Sequence, residues 1–534
     1  MRRLLPRVGR WVELPSARWD GYSLPVADVP PPPNGLKHEL PLLGGMLLGC
    51  LGLWWQADAL VLDGRVSGYH WPTWLYGAWH YAAGHTGMLD PFRQPLHSAM
   101  VGGLGSSLGL LDAALVVAGL SMVAVVLASG LTARMLVGPW AGALAAAAIP
   151  LSPVATSGSR WGTAYPLLTG ALAVGVAATV WASRRPTVGT ILAAGAAAML
   201  ATMTDVRGLL LLVLVLPLVA WRAWQGWSGR ALMAVLIVGL VLGSRSAPWL
   251  GQTRSLTAAE KRGVQTRVVA RWVGQAKDTA LVEACRPVSR EGFLTPAFLT
   301  TPCARAVLRD NLRRALPGTM AWPVWLVALA VVGLVDPRRW RGRPQAPLLG
   351  LGCLLAGLGT AVWTPLPARY QLVWTAWTGL LVPLALGWRL RDRPRVLIPV
   401  SCCLLGLAAI VDASNHARHP VKGIDARWLQ PADIAEVVKR VLPDERPVRD
   451  CAGTYVEVAL LPNHTAAMGP ELSMADAPPC LQWIGGTTAR GLIVAPGRTL
   501  PGAEGAVDLS ATVAATAGWQ KVESVAGVEI WVRP

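Results

Sequence analysis

Two charged residues stand where apolar stretches of the sequence end or begin, and their side chains suit acid–base and phosphate chemistry. Asp63 directly follows one apolar stretch, and Arg369 with Tyr370 opens another. A carboxylate at a lipid–water boundary interacts strongly with nearby charges, because the dielectric constant is low there. An arginine at such a boundary can hold a phosphate by paired hydrogen bonds. The alternatives are a solvated or capping aspartate, and an arginine that reaches toward lipid headgroups.

Four of the eight cysteines form two pairs in polar parts of the chain, Cys285 with Cys303 and Cys451 with Cys480. In an oxidising compartment each pair would form a disulfide bond. A metal site is the weaker interpretation, because neither a Cys-x-x-Cys spacing nor a histidine cluster accompanies them. We therefore expect two disulfides and no metal, with the Cα atoms of each pair closer than about 7 Å.

Apolar helices are the elements that must position these residues. Hydrophobic residues make up 53% of the 534 residues and charged residues only 15%, whereas soluble proteins usually have about 25% charged residues. A membrane span needs roughly 20 apolar residues, and its backbone amides must be paired within the segment, as in a helix. The sequence predicts about eleven such spans, at 40–56, 109–131, 135–153, 165–183, 187–204, 208–224, 231–247, 319–335, 346–363, 370–388 and 395–412.

The arginines between the predicted spans indicate the orientation of the chain. With a cytoplasmic N-terminus, the short inner loops hold thirteen arginines and the short outer loops three. Loops with the excess of positive charge face the cytoplasm. Eleven spans then place the C-terminus outside. The inner arginines are 134, 184, 185, 222, 230, 338, 339, 341, 343, 389, 391, 393 and 395, and the outer ones are 160, 207 and 369.

Four regions flank the predicted membrane domain or extend from it. Residues 1–38 form a basic, proline-rich cytoplasmic tail. The membrane domain, 39–412, carries two long outer loops, 57–108 and 248–318. Residues 413–534 contain short apolar runs that alternate with a helix near 433–442, which is typical of a small α/β domain. We therefore predict an all-α polytopic protein of the cell (inner) membrane, with a small extracytoplasmic α/β domain at its C-terminus.

The distribution of charge argues against several functions. The formal net charge of +18 is explained largely by the inner loops, so a nucleic-acid partner is not expected. No phosphate-binding loop of the Gly-x-x-x-x-Gly-Lys type occurs, which disfavours a nucleotide-driven pump. Transporters usually carry charged residues inside their spans, and the predicted spans hold almost none. A lipid or solute transporter and a non-catalytic scaffold of an envelope-assembly complex remain as alternatives to an enzyme.

Taken together, the long first outer loop with an acid, the Arg-Tyr pair at a late span and the C-terminal outer domain resemble the polytopic glycosyltransferases of the C-type fold. This superfamily includes mannosyltransferases and aminoarabinose transferases. Its loop acid matches Asp63, and its Arg-Tyr pair matches Arg369 and Tyr370. The stretch 86–96, which contains Asp90 and Arg93, is similar to the family's segment ending in Pro-Leu. Many members carry adjacent Asp-Glu acids, whereas Gly64 follows Asp63 here.

The resemblance implies a lipid-linked sugar donor and an inverting glycosyltransferase without a cofactor. The donor would be a sugar on a polyprenyl phosphate held beside membrane lipid, and the acceptor a lipid, glycan or protein. Asp63 would be the general base, and Arg369 would hold the donor phosphate. An alternative register places Tyr69 and His70 where the acidic pair falls. The residues that would contact substrate are Arg369, Tyr370, His70, Asp90, Arg93, Lys261 and Arg262.

Overall fold

The computed structural model describes a helical part and a C-terminal part with two sheets. It describes residues 36–62, 74, 75, 77, 78, 81, 95–108, 110–159, 162–184, 187–205, 208, 211, 329–332, 334, 348–352, 368–390, 393–418, 431–442, 448–452, 477–486, 489–497, 499–502, 505–525 and 527–534.

The described helical part contains nine helices and one 3-10 turn. They are α1 (Leu36–Leu62), α2 (Pro95–Leu108), α3 (Leu110–Leu136), α4 (Pro139–Ala148), the turn Ile149–Leu151, α5 (Pro153–Gly158), α6 (Ala164–Arg184), α7 (Val188–Thr204), α8 (Ala368–Leu390) and α9 (Pro394–Arg418). Two described helical segments are long and apolar enough to cross a membrane, Asp112–Leu136 and Ala164–Arg184. Four shorter apolar segments are Pro139–Leu151, Gly189–Thr204, Gly379–Leu390 and Arg395–Leu407.

Small residues allow α1 to pack closely against α4 and the turn that follows it. Gly45 lies against Ala143, and further along α1 a Cβ built on Gly52 would come within 2.9 Å of the Pro150 ring. Residue numbers rise in the same direction on both sides of this contact, so α1 and α4 run parallel. Helices in membranes pack closely through such small residues, because lipid offers no hydrophobic force to drive them together.

An ion pair and an arginine contact lie at one end of the helices, which we call the arginine end. Arg134, near the end of α3, donates from Nε to Glu39 Oε2 at 2.9 Å and also binds the other carboxylate oxygen. Arg184, the last residue of α6, donates to the backbone carbonyl of Met135. The bidentate contact with Arg134 holds the pKa of Glu39 below its ordinary value. Glu39 precedes the predicted first span.

Helix α8 runs from the opposite end of the helices to the arginine end. Leu372, one turn into α8, fills the space beside Gly158, where a Cβ would come within 2.7 Å of a leucine methyl. Gly387 lies against Ala141, near the start of α4. We call the end formed by residues 149–158, the start of α6 and the first turn of α8 the site end.

The span predicted at 135–153 is divided in the structure. After α3, the chain turns at Gly138, whose φ of 152° favours glycine, and α4 begins with Pro139 at its first turn. Pro150 and Pro153 then accompany the 3-10 turn and the start of α5. A proline lacks the amide hydrogen that a continuous helix needs. The predicted span therefore corresponds to α4 and the 3-10 turn, with its first two residues in α3 and its last residue at the start of α5.

Four buried hydroxyls within these helices bond to backbone carbonyls of their own helix. Ser121 and Thr132 in α3 donate to carbonyls four residues earlier, at 2.6 and 2.7 Å. In α6, Thr169 and Thr179 make the same bond at 2.7 Å. Such bonds satisfy a polar group inside an apolar helix without a partner from another helix. The hydroxyls of these four residues are therefore satisfied within their own helices, and we assign them no chemical role.

The C-terminal part is built around a four-stranded sheet. Its elements are α10 (Pro431–Val441), β1 (Val448–Asp450), α11 (Ala477–Gly485), β2 (Gly491–Val494), β3 (Thr499–Gly502), β4 (Gly505–Asp508), α12 (Leu509–Ala515), β5 (Gln520–Val525) and β6 (Val528–Val532). The strand order is β1-β2-β6-β5, with β1 and β2 parallel and the other neighbours antiparallel, while β3 and β4 form a separate hairpin.

Helices cover both faces of this sheet. Ile493 and Ile530 pack with Ile434 and Val438 of α10. Leu492 and Trp531 point to the other face and pack with Ile484 of α11 and Val513 of α12. All four residues of β2 are buried for this reason. A strand covered on both faces reads as a continuous apolar run, which explains why its sequence is Gly-Leu-Ile-Val.

A disulfide and an arginine fix α11 to the sheet. Cys451, just after β1, is bonded to Cys480 in α11 with Cα atoms 5.9 Å apart, so this predicted pair is confirmed. At the other end of α11, Arg533 donates to the Ile484 carbonyl at 2.7 Å, and its guanidinium lies 4.5 Å from the centroid of the Trp519 ring. A cation is favourable at the carboxyl end of a helix. The predicted pair Cys285–Cys303 lies outside the described residues.

Candidate functional site

The first turn of α8 carries the Arg-Tyr pair that the sequence predicts at the outer start of a late span. Arg369 and Tyr370 are the second and third residues of Ala368–Leu390. Leu372 in the same turn packs beside Gly158 at the end of α5. The pair therefore belongs to the site end of the helices. That the Arg369 side chain holds a phosphate there stays a prediction.

The last residue of α1 immediately precedes the predicted base. α1 starts at the arginine end, passes Pro150 through Gly52, and ends at Leu62. The chain thus approaches Asp63 while running toward the end where α8 begins. Asp63 itself lies outside the described residues. The course of α1 nevertheless supports the prediction that Asp63 and Arg369 belong to the same end of the molecule.

Part of the chain between α1 and α2 packs closely on the site end. Leu75 and Ala78 are fully buried, and they form one cluster with Val101 of α2, with Ala114 of α3 and with the partly buried Leu167 of α6. This part of the predicted first outer loop is therefore not simply solvated. It contributes a packed layer next to the position at which α6 begins.

Three rings lie at the edge of this layer. The Trp74 ring meets the His97 ring edge to face, with centroids 5.4 Å apart and an interplanar angle of 75°. The Trp74 ring also meets the Tyr165 ring edge to face, with centroids 6.2 Å apart and an interplanar angle of 78°. His97 is 0% exposed, Trp74 6% and Tyr165 8%. We call Trp74, His97 and Tyr165 the aromatic triad.

The aromatic triad was not among the residues that the sequence singled out for chemistry. His97 directly follows the segment 86–96, which contains Asp90 and Arg93, and Trp74 lies in a stretch rich in aromatic residues. Their contact joins residues of the loop, α2 and α6, so it depends on the tertiary fold. A helix beginning with Pro95 was the usable signal, because proline is favoured in the first turn.

Hydroxyl groups within α5 and at its two ends are bonded to the local backbone. Thr156 donates to the Pro150 carbonyl at 3.1 Å, and Ser159 donates to the Thr156 carbonyl at 2.7 Å. Ser152 accepts the amide of Ala155 at 3.3 Å. These bonds stabilise the tight turns between α4 and α6. They shape the wall of the site end, and we assign none of them to chemistry.

Most predicted substrate contacts and one predicted disulfide fall outside the described residues. This holds for His70, Asp90, Arg93, Lys261, Arg262, Cys285 and Cys303. Within the described ranges, no group of three or more His, Cys, Asp and Glu residues is arranged to hold a metal ion.

The fold is similar to that of known membrane glycosyltransferases. No family model and no curated protein sequence matches the chain. The structure matches ArnT from Cupriavidus metallidurans bound to undecaprenyl phosphate with a TM-score of 0.56 and 15% identity, covering 93% of this chain and 97% of that one. The archaeal oligosaccharyltransferase AglB from Archaeoglobus fulgidus, in complex with an inhibitory peptide and a dolichol-phosphate, gives a TM-score of 0.43 and 12% identity, covering 85% and 69%.

Only the first of these two similarities is close enough to define the fold. ArnT is a membrane glycosyltransferase of the C-type fold, and the match extends over nearly all of both chains. Helices that alternate between two ends, followed by a C-terminal domain, agree with that architecture. The chain therefore has the fold of the C-type membrane glycosyltransferases, as the resemblance of its sequence implied.

Proposed function

We propose that this protein transfers a sugar from a polyprenyl-phosphate donor to an acceptor at the outer, periplasmic face of the inner membrane. The observation that carries the proposal is the shared fold over 93% of the chain with a protein whose structure holds undecaprenyl phosphate. A polyprenyl phosphate offers an apolar chain for the membrane and a phosphate for the surface. The site end combines apolar helices with an arginine in the first turn of α8, which suits both parts.

The proposed reaction is a single displacement at the anomeric carbon. Asp63 takes the proton of the acceptor hydroxyl while the hydroxyl oxygen attacks the anomeric carbon. The bond from the carbon to the phosphate oxygen breaks, and the polyprenyl phosphate leaves with the bonding electrons. Arg369 stabilises the negative charge that develops on the leaving group. Attack from the face opposite the phosphate inverts the anomeric configuration.

Other residues have supporting roles in this proposal. Tyr370 follows Arg369 in the same helical turn, and Lys261 and Arg262 would add positive charge near the phosphate. His70, Asp90 and Arg93 would contact the sugar or the acceptor. The acceptor is a lipid, a glycan or a protein, selected by the C-terminal domain. This scheme uses neither a metal ion nor a cofactor.

The proposed topology has about eleven spans, an inner N-terminus and the C-terminal domain outside. Residues 1–38 form the cytoplasmic tail, residues 39–412 the membrane domain and residues 413–534 the extracytoplasmic domain. The opposite courses of α1 and α8 support this arrangement, since α1 runs toward the site end and α8 begins there. The disulfide Cys451–Cys480 also suits an oxidising compartment.

Mass spectrometry of lipid-linked sugars tests the function directly. Cells that lack the protein should accumulate a polyprenyl-phosphate-linked sugar that is consumed when the wild-type protein is restored. The Asp63→Asn variant, at equal abundance in the membrane, should leave that donor unconsumed. If no lipid-linked sugar changes in amount between these strains, the protein is not a glycosyltransferase of this kind, and a scaffold role replaces the proposal.

A further inference from the structure

The chain between α1 and α2 is held against the site end by specific side chains. Leu75 and Ala78 are 0% exposed and are surrounded by residues of α2, α3 and α6. Trp74, at the border of this buried layer, is only 6% exposed. A segment with fully buried side chains at its centre cannot move freely on the surface below it.

The aromatic triad restricts the orientation in which this loop packs against α2 and α6. The edge-to-face contact of Trp74 with His97 and with Tyr165 depends on ring orientation, because the face of an aromatic ring is negative and its edge positive. His97 lies in the first turn of α2, and Tyr165 is the second residue of α6. Through the triad, Trp74 in the middle of the first outer loop contacts both α2 and α6.

His97 is also a buried titratable group that the proposed reaction does not use. A leucine would fill this apolar layer but would offer no ring to Trp74. The same face of α2 buries Ser98, Val101 and Gly102 beside His97. The position thus belongs to the contact between α2 and the loop, close in sequence to residues 63–94, which carry the proposed base.

We propose that the contact of His97 with Trp74 is a positioning device for the sugar transfer. This inference rests on the proposed function. The rings orient the first outer loop against α2 and α6, and so set where Asp63 stands relative to a donor bound near Arg369. His97 touches neither donor nor acceptor in this proposal, and acts through the placement of the loop.

Three substitutions at His97 separate this role from simple packing. His97→Phe keeps a ring that can meet Trp74 edge to face, His97→Gln keeps polar atoms without the ring, and His97→Ala removes both. Because misplacement of a reacting group by about 1 Å can cost about 10²-fold in rate, kcat should fall by about that factor in the Ala and Gln variants. The KM for the donor should stay within about two-fold, and His97→Phe should keep most of the activity.

The assay uses the full-length protein in detergent and, as donor, the lipid-linked sugar fraction extracted from cells that lack it. Tyr81→Ala is the matched control, because Tyr81 is an aromatic residue of the same loop but is 37% exposed. Its kcat should equal that of the wild type. Activity in His97→Gln together with loss in His97→Phe would overturn the proposal, since the polar atoms and not the ring contact would then matter. Full kcat in His97→Ala would overturn it as well.

Hydrogen–deuterium exchange provides a second measurement that needs no substrate. Peptides from residues 63–94 should exchange at least about ten-fold faster in His97→Ala than in the wild type, while peptides from α6 and α7 keep their rates. Unchanged exchange in 63–94 contradicts the positioning role even if the enzyme is inactive. If Asp63→Asn has normal activity, the proposed reaction is wrong, and the exchange result still decides whether the triad holds the loop.

Discussion

At the scale of single residues, the proposed reaction depends on the carboxylate that follows α1. Asp63→Asn keeps the size and hydrogen bonding of the side chain but removes its basicity. General-base catalysis usually contributes about 10²–10⁴-fold, so sugar transfer should fall by that factor while the protein still inserts and folds. Initial rates of donor consumption in purified variants measure this effect.

Asp90→Asn is the comparison for this substitution, because Asp90 is proposed to contact substrate but not to accept the proton. Asp90 precedes Pro91 in a context that suits a turn, so its loss should have a mild effect. Loss of activity in Asp90→Asn or His70→Ala, with Asp63→Asn active, would move the base to another residue of the loop. Normal transfer by all three variants would instead favour the scaffold.

The arginine in the first turn of α8 makes a second residue-scale prediction. Arg369→Lys keeps the positive charge but loses the planar fork that binds two phosphate oxygens. We expect most of the activity to disappear while the amount of protein in the membrane is unchanged. Arg393→Lys is a suitable control, because Arg393 is an exposed arginine between α8 and α9 near the arginine end. Full activity of Arg369→Lys would indicate that Arg369 only contacts lipid headgroups.

Glu529 in β6 predicts a pH dependence in the C-terminal part. Burial raises the pKa of Glu529, but hydrogen bonds from Lys521, Ser510 and Trp531 outweigh it, so the pKa lies below the ordinary value of 4.5. The bonds from Lys521 and Ser510 are 2.6 and 2.5 Å long. A carboxylate with a lowered pKa stabilises the fold at pH values above its ordinary pKa. This stabilisation is lost as the pH falls through the lowered pKa.

Hydrogen–deuterium exchange of the full-length protein measures this loss strand by strand. After correction for intrinsic exchange rates, protection of β5 and β6 should decrease as the pH falls below 4.5. Glu529→Gln should remove that part of the pH dependence and lower protection at neutral pH. Glu523→Gln is the matched control, since Glu523 is a carboxylate of the neighbouring strand paired with an exposed arginine of α10. Equal pH profiles for the wild type and Glu529→Gln would refute the prediction.

At the scale of elements, the disulfide between β1 and α11 closes a loop of 29 residues. By the loop-entropy relation such a bond adds about 3 kcal/mol to the free energy of unfolding. Cys451→Ser should therefore reduce protection of β2 and α11 against exchange by about 10²-fold. Cys402→Ser, which removes an exposed free cysteine of α9, should change nothing there. An unaffected sheet in Cys451→Ser would show that the bond adds little to stability.

Two predicted spans and two apolar runs of the C-terminal part agree closely with described helices and strands, because each has its own local pattern. The predicted span at 165–183 corresponds to Ala164–Arg184, and that at 187–204 to Val188–Thr204. The apolar runs at 491–494 and 528–532 are β2 and β6. In each case a continuous apolar segment is bounded by charged residues, glycine or threonine, so a single window of sequence contains the whole signal.

Elements defined by distant contacts were not predicted. β5 has mostly exposed or half-exposed residues and carries Lys521 and Glu523, as expected for a strand at the edge of a sheet. Such a strand lacks the apolar run that identifies β2. The aromatic triad likewise requires the loop, α2 and α6 to meet. Asp63 and Arg369 came from the family resemblance and from their places beside apolar segments, and their contacts remain predictions.

At the scale of the whole molecule, labelling of single introduced cysteines tests the topology. Residues near 340 and 391 should react only from the cytoplasmic side, and residues near 300 and 480 only from outside. The alternation of α1, α3, α4 and α8 between the arginine end and the site end supports this pattern. Cysteines near 134 and 184 should behave like that at 391, because those arginines share one end.

Labelling of 340 and 391 from opposite sides would reject the eleven-span arrangement. The shared fold with ArnT would remain in that case, but the number of spans and the location of the C-terminal domain would have to change. A reagent that crosses the membrane serves as the control for accessibility. Every engineered cysteine should react with it after denaturation.

The pairing of Glu39 with Arg134 has a consequence for biosynthesis. The ribosome makes Arg134 95 residues after Glu39, and at about 5–20 residues per second this takes about 5–20 s. The contact between the glycines of α1 and helix α4 forms even later, because α4 is translated after α3. During that interval the nascent α1 must remain in the bilayer, or with the insertion machinery, without its final neighbours. The first described helix, α1, is thus among those that dock late.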